Sequence, residues 1–170
     1  DEFTVNIALI GNDKPILGVV LAPARGRAWW GKAAGRQRTQ CRRQGVGHSS
    51  TSRPRRLSDG YDQSLSSDAD TEAFLQHAGV VKIISAGSSL KLCLIAEGKA
   101  DLYPRFGPTM EWDVAAGHAV LLEAGGRVLT LDGGPFVYRK TNFRNTGFIA
   151  QAGPHQHRQD DGAGAIDRTF

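Results

Sequence analysis

The sequence predicts an α/β fold, and three observations carry that expectation. Strand-like and helix-like stretches alternate from Asp68 to Ala150. The chain opens on two apolar, β-branched stretches around Gly11-Asn12-Asp13, the pattern of a hairpin. The run from Trp112 to Ala124 places Val114, Ala115, Ala119, Leu122 and Ala124 at the spacing of one long helix, stopped by Gly125-Gly126. With 40% hydrophobic residues the 170-residue chain can bury one sizeable core or two small ones.

Taken in order, Phe3 to Ile10 and Ile16 to Ala22 read as the two strands of the hairpin, and Arg27 to Gly31, with Trp29 and Trp30, as a third, short strand. Residues 1–33 therefore form a β-hairpin unit. A strand with no element before it is unusual for a complete domain. Residues 34–67 contain seven arginines, many Ser and Gln, and almost no large apolar side chain, so neither a helical nor a strand period survives there. Periodicity returns in residues 68–150. Thr71 to Ala78 is expected to be a helix ended by Gly79, Val80 to Ser85 a strand, Ser88 to Ala96 a helix, and Ala100 to Tyr103 a strand. Val128 to Leu131, Phe136 to Tyr138 and Phe148 to Ala150 follow as short strands. Residues 151–170 are polar and read as a frayed tail, in which His155 and His157 fit solvated side chains better than a metal site.

The net charge of +4 hides an asymmetry. Eleven of the 21 basic residues lie between Lys14 and Ser58, where no acidic residue occurs, and the other ten share the rest of the chain with all 17 acidic residues. A uniform nucleic-acid-binding face is not what this distribution describes. The segment 34–67 fits a solvated basic loop, an arginine-rich nucleic-acid arm, or a stretch translated out of frame. The third is favoured on the family resemblance given below, which resumes at Asp68. No apolar run approaches 18 residues, and Asp1-Glu2 opens no basic, apolar leader. Cys41 and Cys93 form no disulfide framework, and Cys93 lies in an apolar run. The expectation is a reducing, cytoplasmic location, with peripheral attachment at the inner membrane as a variant of it.

Several residues could carry chemistry. Asp113 lies at the start of the long helix, against the positive end of its dipole. That position suits a capping aspartate and equally a ligand for a hard cation such as Mg²⁺. Gly87-Ser88-Ser89 leads into a helix whose first backbone N–H groups could take a phosphate, although Ser and Gly are also routine cap and turn residues. Lys91 could reach the same anion or simply be solvated. Tyr103-Pro104-Arg105 closes a strand and delivers Arg105 to a loop, where its guanidinium suits phosphate or could pair with Glu111 or Asp101. Glu97 reads as structural, and His118 as a hydrogen-bonded helix histidine rather than a base.

Taken together, Gly87-Ser88-Ser89-Leu90-Lys91, Ala96-Glu97-Gly98, Asp101-Leu102-Tyr103-Pro104-Arg105 and Trp112-Asp113-Val114-Ala115-Ala116-Gly117 resemble, in order and spacing, the inositol monophosphatase superfamily. Within it they are most similar to the CysQ-type 3'(2'),5'-bisphosphate nucleotidases. Glu2 to Ile10 and Pro15 to Pro23 resemble the same group, and the likeness covers about residues 1–33 and 68–150. It implies a sugar-phosphatase-like αβαβα sandwich, here truncated at the N-terminus, with the hairpin a remnant of a preceding lobe. It implies Mg²⁺-dependent hydrolysis of a phosphomonoester, with 3'-phosphoadenosine 5'-phosphate as substrate. Asp113 would be a metal ligand and contact substrate, and Gly87, Ser88, Lys91 and Arg105 would bind it. The other ligands the group uses, a glutamate pair and an Asp-Pro-x-Asp-Gly-Thr loop, have no counterpart here. No catalytic residue is assigned, and the chain alone should be weakly active or inactive. An inositol monophosphatase, a non-catalytic substrate-binding protein and an arginine-driven nucleic-acid binder are the competing readings, the last disfavoured. A homodimer is compatible with the resemblance.

Overall fold

The computed structural model describes residues 3–32, 59–62, 69–80, 82–87 and 89–153. Strands β1 (Val5–Gly11), β2 (Lys14–Ala22) and β3 (Arg27–Gly31) form an antiparallel sheet in that order. Asn12 and Asp13 both take positive φ, 51° and 59°, which a tight two-residue turn between twisted strands requires. The register slips between Leu9 and Ile10, so the pairing runs from Val5 with Leu21 to Gly11 with Lys14 across a bulge.

A second sheet has five strands in the order β5-β4-β6-β10-β8: β4 (Asp59–Asp62), β5 (Lys82–Ser85), β6 (Leu102–Arg105), β8 (Arg127–Thr130) and β10 (Phe148–Gln151). Strand β4 runs parallel to β5 and β6, whereas β10 is antiparallel to β6 and β8. Two-residue strands β7 (Thr109–Met110) and β9 (Arg144–Asn145) pair separately. The helices are α1 (Ala69–His77), α2 (Leu90–Ala96) and α3 (Glu111–Glu123).

Helix α3 packs on the three-stranded sheet, and α2 packs on α3 and on β6, so the two helices lie between the two sheets. This order is the inner part of the αβαβα sandwich. Small residues make it possible. A Cβ at Gly18 would sit 2.3 Å from the Ala116 carbonyl oxygen, and one at Gly31 2.7 Å from that of Ala119. Apart from His118, the shaft of α3 from Val114 to Leu122 is apolar all round, as suits a helix buried on both sides. Val20, Ala22 and Trp29 of the small sheet share one core with Leu92, Ala116, Val128 and Phe148. The other face of the small sheet is exposed: Val5, Ile7, Leu9, Leu17 and Leu21 point away from α3.

Three sequence expectations are corrected. Asp59–Asp62 is a strand inside the stretch that shows no strand period; the rest of 34–67 lies almost wholly outside the described residues. Its strand partners are parallel neighbours from distant sequence, so no local pattern announces it. Phe136 to Tyr138 is not a strand. Phe136 and Tyr138 are buried and Val137 is exposed, which produces a strand-like alternation, but the Tyr138 N–H donates to the Asp13 carbonyl of the hairpin turn at 3.0 Å. Gln151 belongs to β10 rather than to a tail, and the tail proper, 154–170 with both histidines, lies outside the described residues. No helix among the described residues is long and apolar enough to cross a membrane.

Candidate active-site cleft

The first turn of α3, the start of α2 and the ends of β6 and β10 meet around a cleft of about 280 Å³. Its polar groups are Ser89, Arg105, Thr109 and Asp113. Tyr103 and Phe148, edge to face at 5.5 Å between ring centroids, and Leu92 and Val114 supply apolar wall.

Asp113 is the third residue of α3, not the residue before it. Its Oδ2 accepts the Met110 N–H at 2.9 Å, so one oxygen holds a helix-end donor and the exposed carboxylate still borders the cleft. The capping and ligand readings of this residue are thus compatible. Arg105 is the last residue of β6, opposite Phe148 of β10. Its guanidinium lies against Gly107, where a Cβ would come within 3.4 Å, and among the described residues its buried Nε has no hydrogen-bond partner. Glu111 is engaged elsewhere: its carboxylate accepts the Arg139 and Lys140 N–H groups at 3.0 and 2.8 Å and pairs with the Lys140 ammonium at 3.6 Å.

Lys91 is not solvated. Its side chain is fully buried, with Nζ 4.7 Å from the centroid of the Tyr103 ring, and it does not line the cleft. Gly87 is half-buried and also off the cleft wall, and Ser88 lies outside the described residues. Ser89, the last residue of the Gly87-Ser88-Ser89 run that could take a phosphate or serve as cap and turn, does line it. Its hydroxyl donates to Asn6 Oδ1 at 2.7 Å and lies 2.9 Å from Thr4 Oγ1, which ties the start of α2 to β1. Thr109 was missed because it belongs to a two-residue strand, where Asn145 Nδ2 donates to its Oγ1 at 3.0 Å.

Glu97 and His118 are away from the cleft. The buried Glu97 carboxylate takes the Trp29 indole N–H at 2.7 Å and pairs with Arg27 and, at 2.8 Å, Lys99. Burial pushes its pKa up, but the hydrogen bonds from Lys99 and Trp29 and the charges of Arg27 and Lys99 outweigh it and hold the carboxyl below its ordinary value. His118 Nδ1 lies 2.9 Å from the Tyr138 hydroxyl, among Phe136 and Tyr138. Burial, with the Lys140 charge, lowers its pKa to about 4. It is a neutral core histidine near pH 7, and its ring faces the core rather than the cleft.

Among the described residues no group of three or more His, Cys, Asp or Glu side chains converges on a point that could hold a metal ion. Among the described residues Asp113 is the one carboxylate on the cleft wall, and Mg²⁺ demands an octahedral oxygen shell with more than one anchor. The described residues alone do not make that site.

An α/β sandwich that opens such a cleft beside a helix N-terminus defines a class, and the sequence supplies its name. Residues 1–162 match the Inositol monophosphatase family, and the chain belongs to it. It is 45% identical over 156 residues to the 3'(2'),5'-bisphosphate nucleotidase CysQ of Escherichia coli (strain K12), which covers 86% of this chain and 59% of that protein. Identity to the protein of the same name from Buchnera aphidicola subsp. Acyrthosiphon pisum is 40% over 158 residues, 89% of this chain and 57% of that one. The crystal structure of CysQ from Bacteroides thetaiotaomicron superposes with a TM-score of 0.71 at 34% identity, over 91% of this chain and 64% of that one. The chain thus spans about three-fifths of the length of the relatives it matches.

Proposed function

We propose that the chain carries the substrate-binding part of a 3'(2'),5'-bisphosphate nucleotidase, which hydrolyses 3'-phosphoadenosine 5'-phosphate to AMP and phosphate. One observation carries the reading: the fold brings the Asp113 carboxylate and the Arg105 guanidinium to one cleft with two hydroxyls, in a chain 45% identical to a named bisphosphate nucleotidase. In the reaction, water adds to phosphorus, the bond to the ribose 3'-oxygen breaks, and that oxygen takes a proton. Arg105 binds phosphate oxygens as a planar two-pronged donor, and the Thr109 hydroxyl, which only accepts from Asn145, donates to them as well. Gly87, Ser88 and Lys91 are proposed to support the substrate from behind the cleft wall, Lys91 through the Tyr103 ring that lines it. Asp113 is proposed as one Mg²⁺ ligand. The remaining ligands are assigned to residues outside those described, and the 170-residue chain by itself is expected to turn over negligibly. A cytoplasmic location and a homodimer complete the proposal.

The test uses a chimera in which this chain is joined to the part of the E. coli relative that it does not match. With Mg²⁺, phosphate should be released from 3'-phosphoadenosine 5'-phosphate much faster than from inositol 1-phosphate. The reverse preference would identify an inositol monophosphatase, and release from neither would leave only a binding protein.

A further inference from the structure

Beside the cleft two large aromatic rings stand in solvent. Trp112 is 58% exposed and Phe143 53%, and their centroids lie 6.1 Å apart with the planes tilted by 48°. Trp112 is the chain neighbour of Asp113, and Phe143 precedes β9, whose partner strand contains Thr109. Asp113 and Thr109 both border the cleft.

The pair is held from beneath by buried polar groups. Glu111, 6% exposed, accepts the two backbone N–H groups at 139 and 140 and so pins the loop carrying Phe143 to the first turn of α3. Buried Asn145 bonds Thr109 and accepts from the Lys140 ammonium at 3.1 Å. The loop is also strained: Arg139, Asn142 and Phe143 take φ of 67°, 60° and 54°. For a bulky residue such as Phe143 that conformation is a genuine outlier. Strain of this kind persists where surrounding contacts over-determine the backbone, and it concentrates at ligand sites. A strained backbone that turns a phenyl ring outward, toward an equally exposed indole, is costly on both counts. The arrangement is a preorganised aromatic V carried by residues adjacent, in the chain or across β7–β9, to two residues of a cleft suited to phosphate.

We infer that Trp112 and Phe143 form the stacking platform for the purine base of the nucleotide substrate. The inference rests on the nucleotide reading above and deepens it: the cleft takes the phosphate end and the ring pair the base. A base offers a flat π-face that stacks on aromatic side chains whatever its identity, so the platform favours nucleotides over baseless phosphomonoesters without selecting one purine over another.

The test is equilibrium binding to the 170-residue chain, by titration calorimetry, of adenosine 3',5'-bisphosphate and of ribose 3,5-bisphosphate, which lacks the base. Trp112→Ala should weaken the nucleotide about tenfold and leave the baseless sugar unchanged, whereas Trp112→Phe keeps most of the affinity. Phe143→Leu, which relieves no backbone strain but removes the ring, should act in the same direction and covers the case in which Trp112→Ala does not fold. An equal effect on both ligands, or none on either, would overturn the platform while leaving the nucleotide reading intact. A lowered melting temperature with unchanged discrimination would also overturn it, showing that the rings pack on polypeptide. Failure of either ligand to bind the unmodified chain would overturn the nucleotide reading of the cleft, and the platform with it.

Discussion

The shaft and the first turn of α3 belong to one helix and answer to different demands. In the shaft, Ala115, Ala116, Gly117 and Ala119 let two sheets and a second helix approach the backbone closely, and the neighbours across the gap are glycines or small parts of larger side chains. In the first turn, Glu111 is buried under a polar network, Trp112 is exposed, and Asp113 borders the cleft. The shaft has no room and one polar group, the buried His118 held by Tyr138; the turn brings its polar groups to the cleft and the loop beside it. Substitutions in the shaft should therefore change stability, and substitutions in the turn should change binding and rate.

The largest stability effect is expected at Gly18. Its Cβ would lie 2.3 Å from the Ala116 carbonyl oxygen and 2.7 Å from the Ala119 Cβ, so Gly18→Ala must push β2 off the helix. The expected loss is about 3 kcal/mol, the upper end for an overpacked core, read from the urea midpoint. A loss below about 1 kcal/mol would mean that the sheet can slide, and the contrast with the first turn would weaken.

Acid should then act through His118. Its folded pKa, about 4, lies below the ordinary 6.5, so the unfolded chain binds the proton more readily. The stability it contributes is complete above about pH 6.5 and is lost as the pH falls from there toward 4, by up to about 3 kcal/mol. Glu97, also lowered, loses its contribution in the same direction as the pH falls through its folded pKa. His118→Gln should flatten the melting profile between pH 6.5 and 4, and an unchanged slope there would remove His118 from the account.

Asp113→Asn should have the smallest effect on stability. The amide oxygen can still accept the Met110 N–H, so the cost is expected to stay below about 1 kcal/mol, most of it the lost charge–dipole term. A large drop in melting temperature would make Asp113 a structural residue first.

Much of this architecture is legible in the residues. The alternation of β1 and β2 around Asn12-Asp13, the third strand at Arg27–Gly31 and the apolar spacing of α3 are local signals, and the structure places all three within a few residues of where the sequence puts them. The α/β class and the family follow from motifs that are contiguous in sequence. What was not legible depends on distant partners. Strand β4 is made by parallel neighbours, and the segment Phe136 to Tyr138 alternates because Phe136 and Tyr138 pack beside His118 in the core while the Tyr138 N–H goes to the hairpin turn. Lys91 is buried with its ammonium over the ring of Tyr103, which belongs to another element. Ser89 and Thr109 reach the cleft only because α2 and β7 converge there, and no spacing in the chain encodes that meeting.

The most direct test of the central claim compares phosphate release from 3'-phosphoadenosine 5'-phosphate by the chimera and by its Asp113→Asn and His118→Gln variants, at matched stability and across a Mg²⁺ titration. Asp113→Asn should lower the rate by orders of magnitude and shift the Mg²⁺ dependence, while His118→Gln stays near the parent. A chimera that keeps its rate with Asn at position 113 would contradict the assignment of the cleft as the active site.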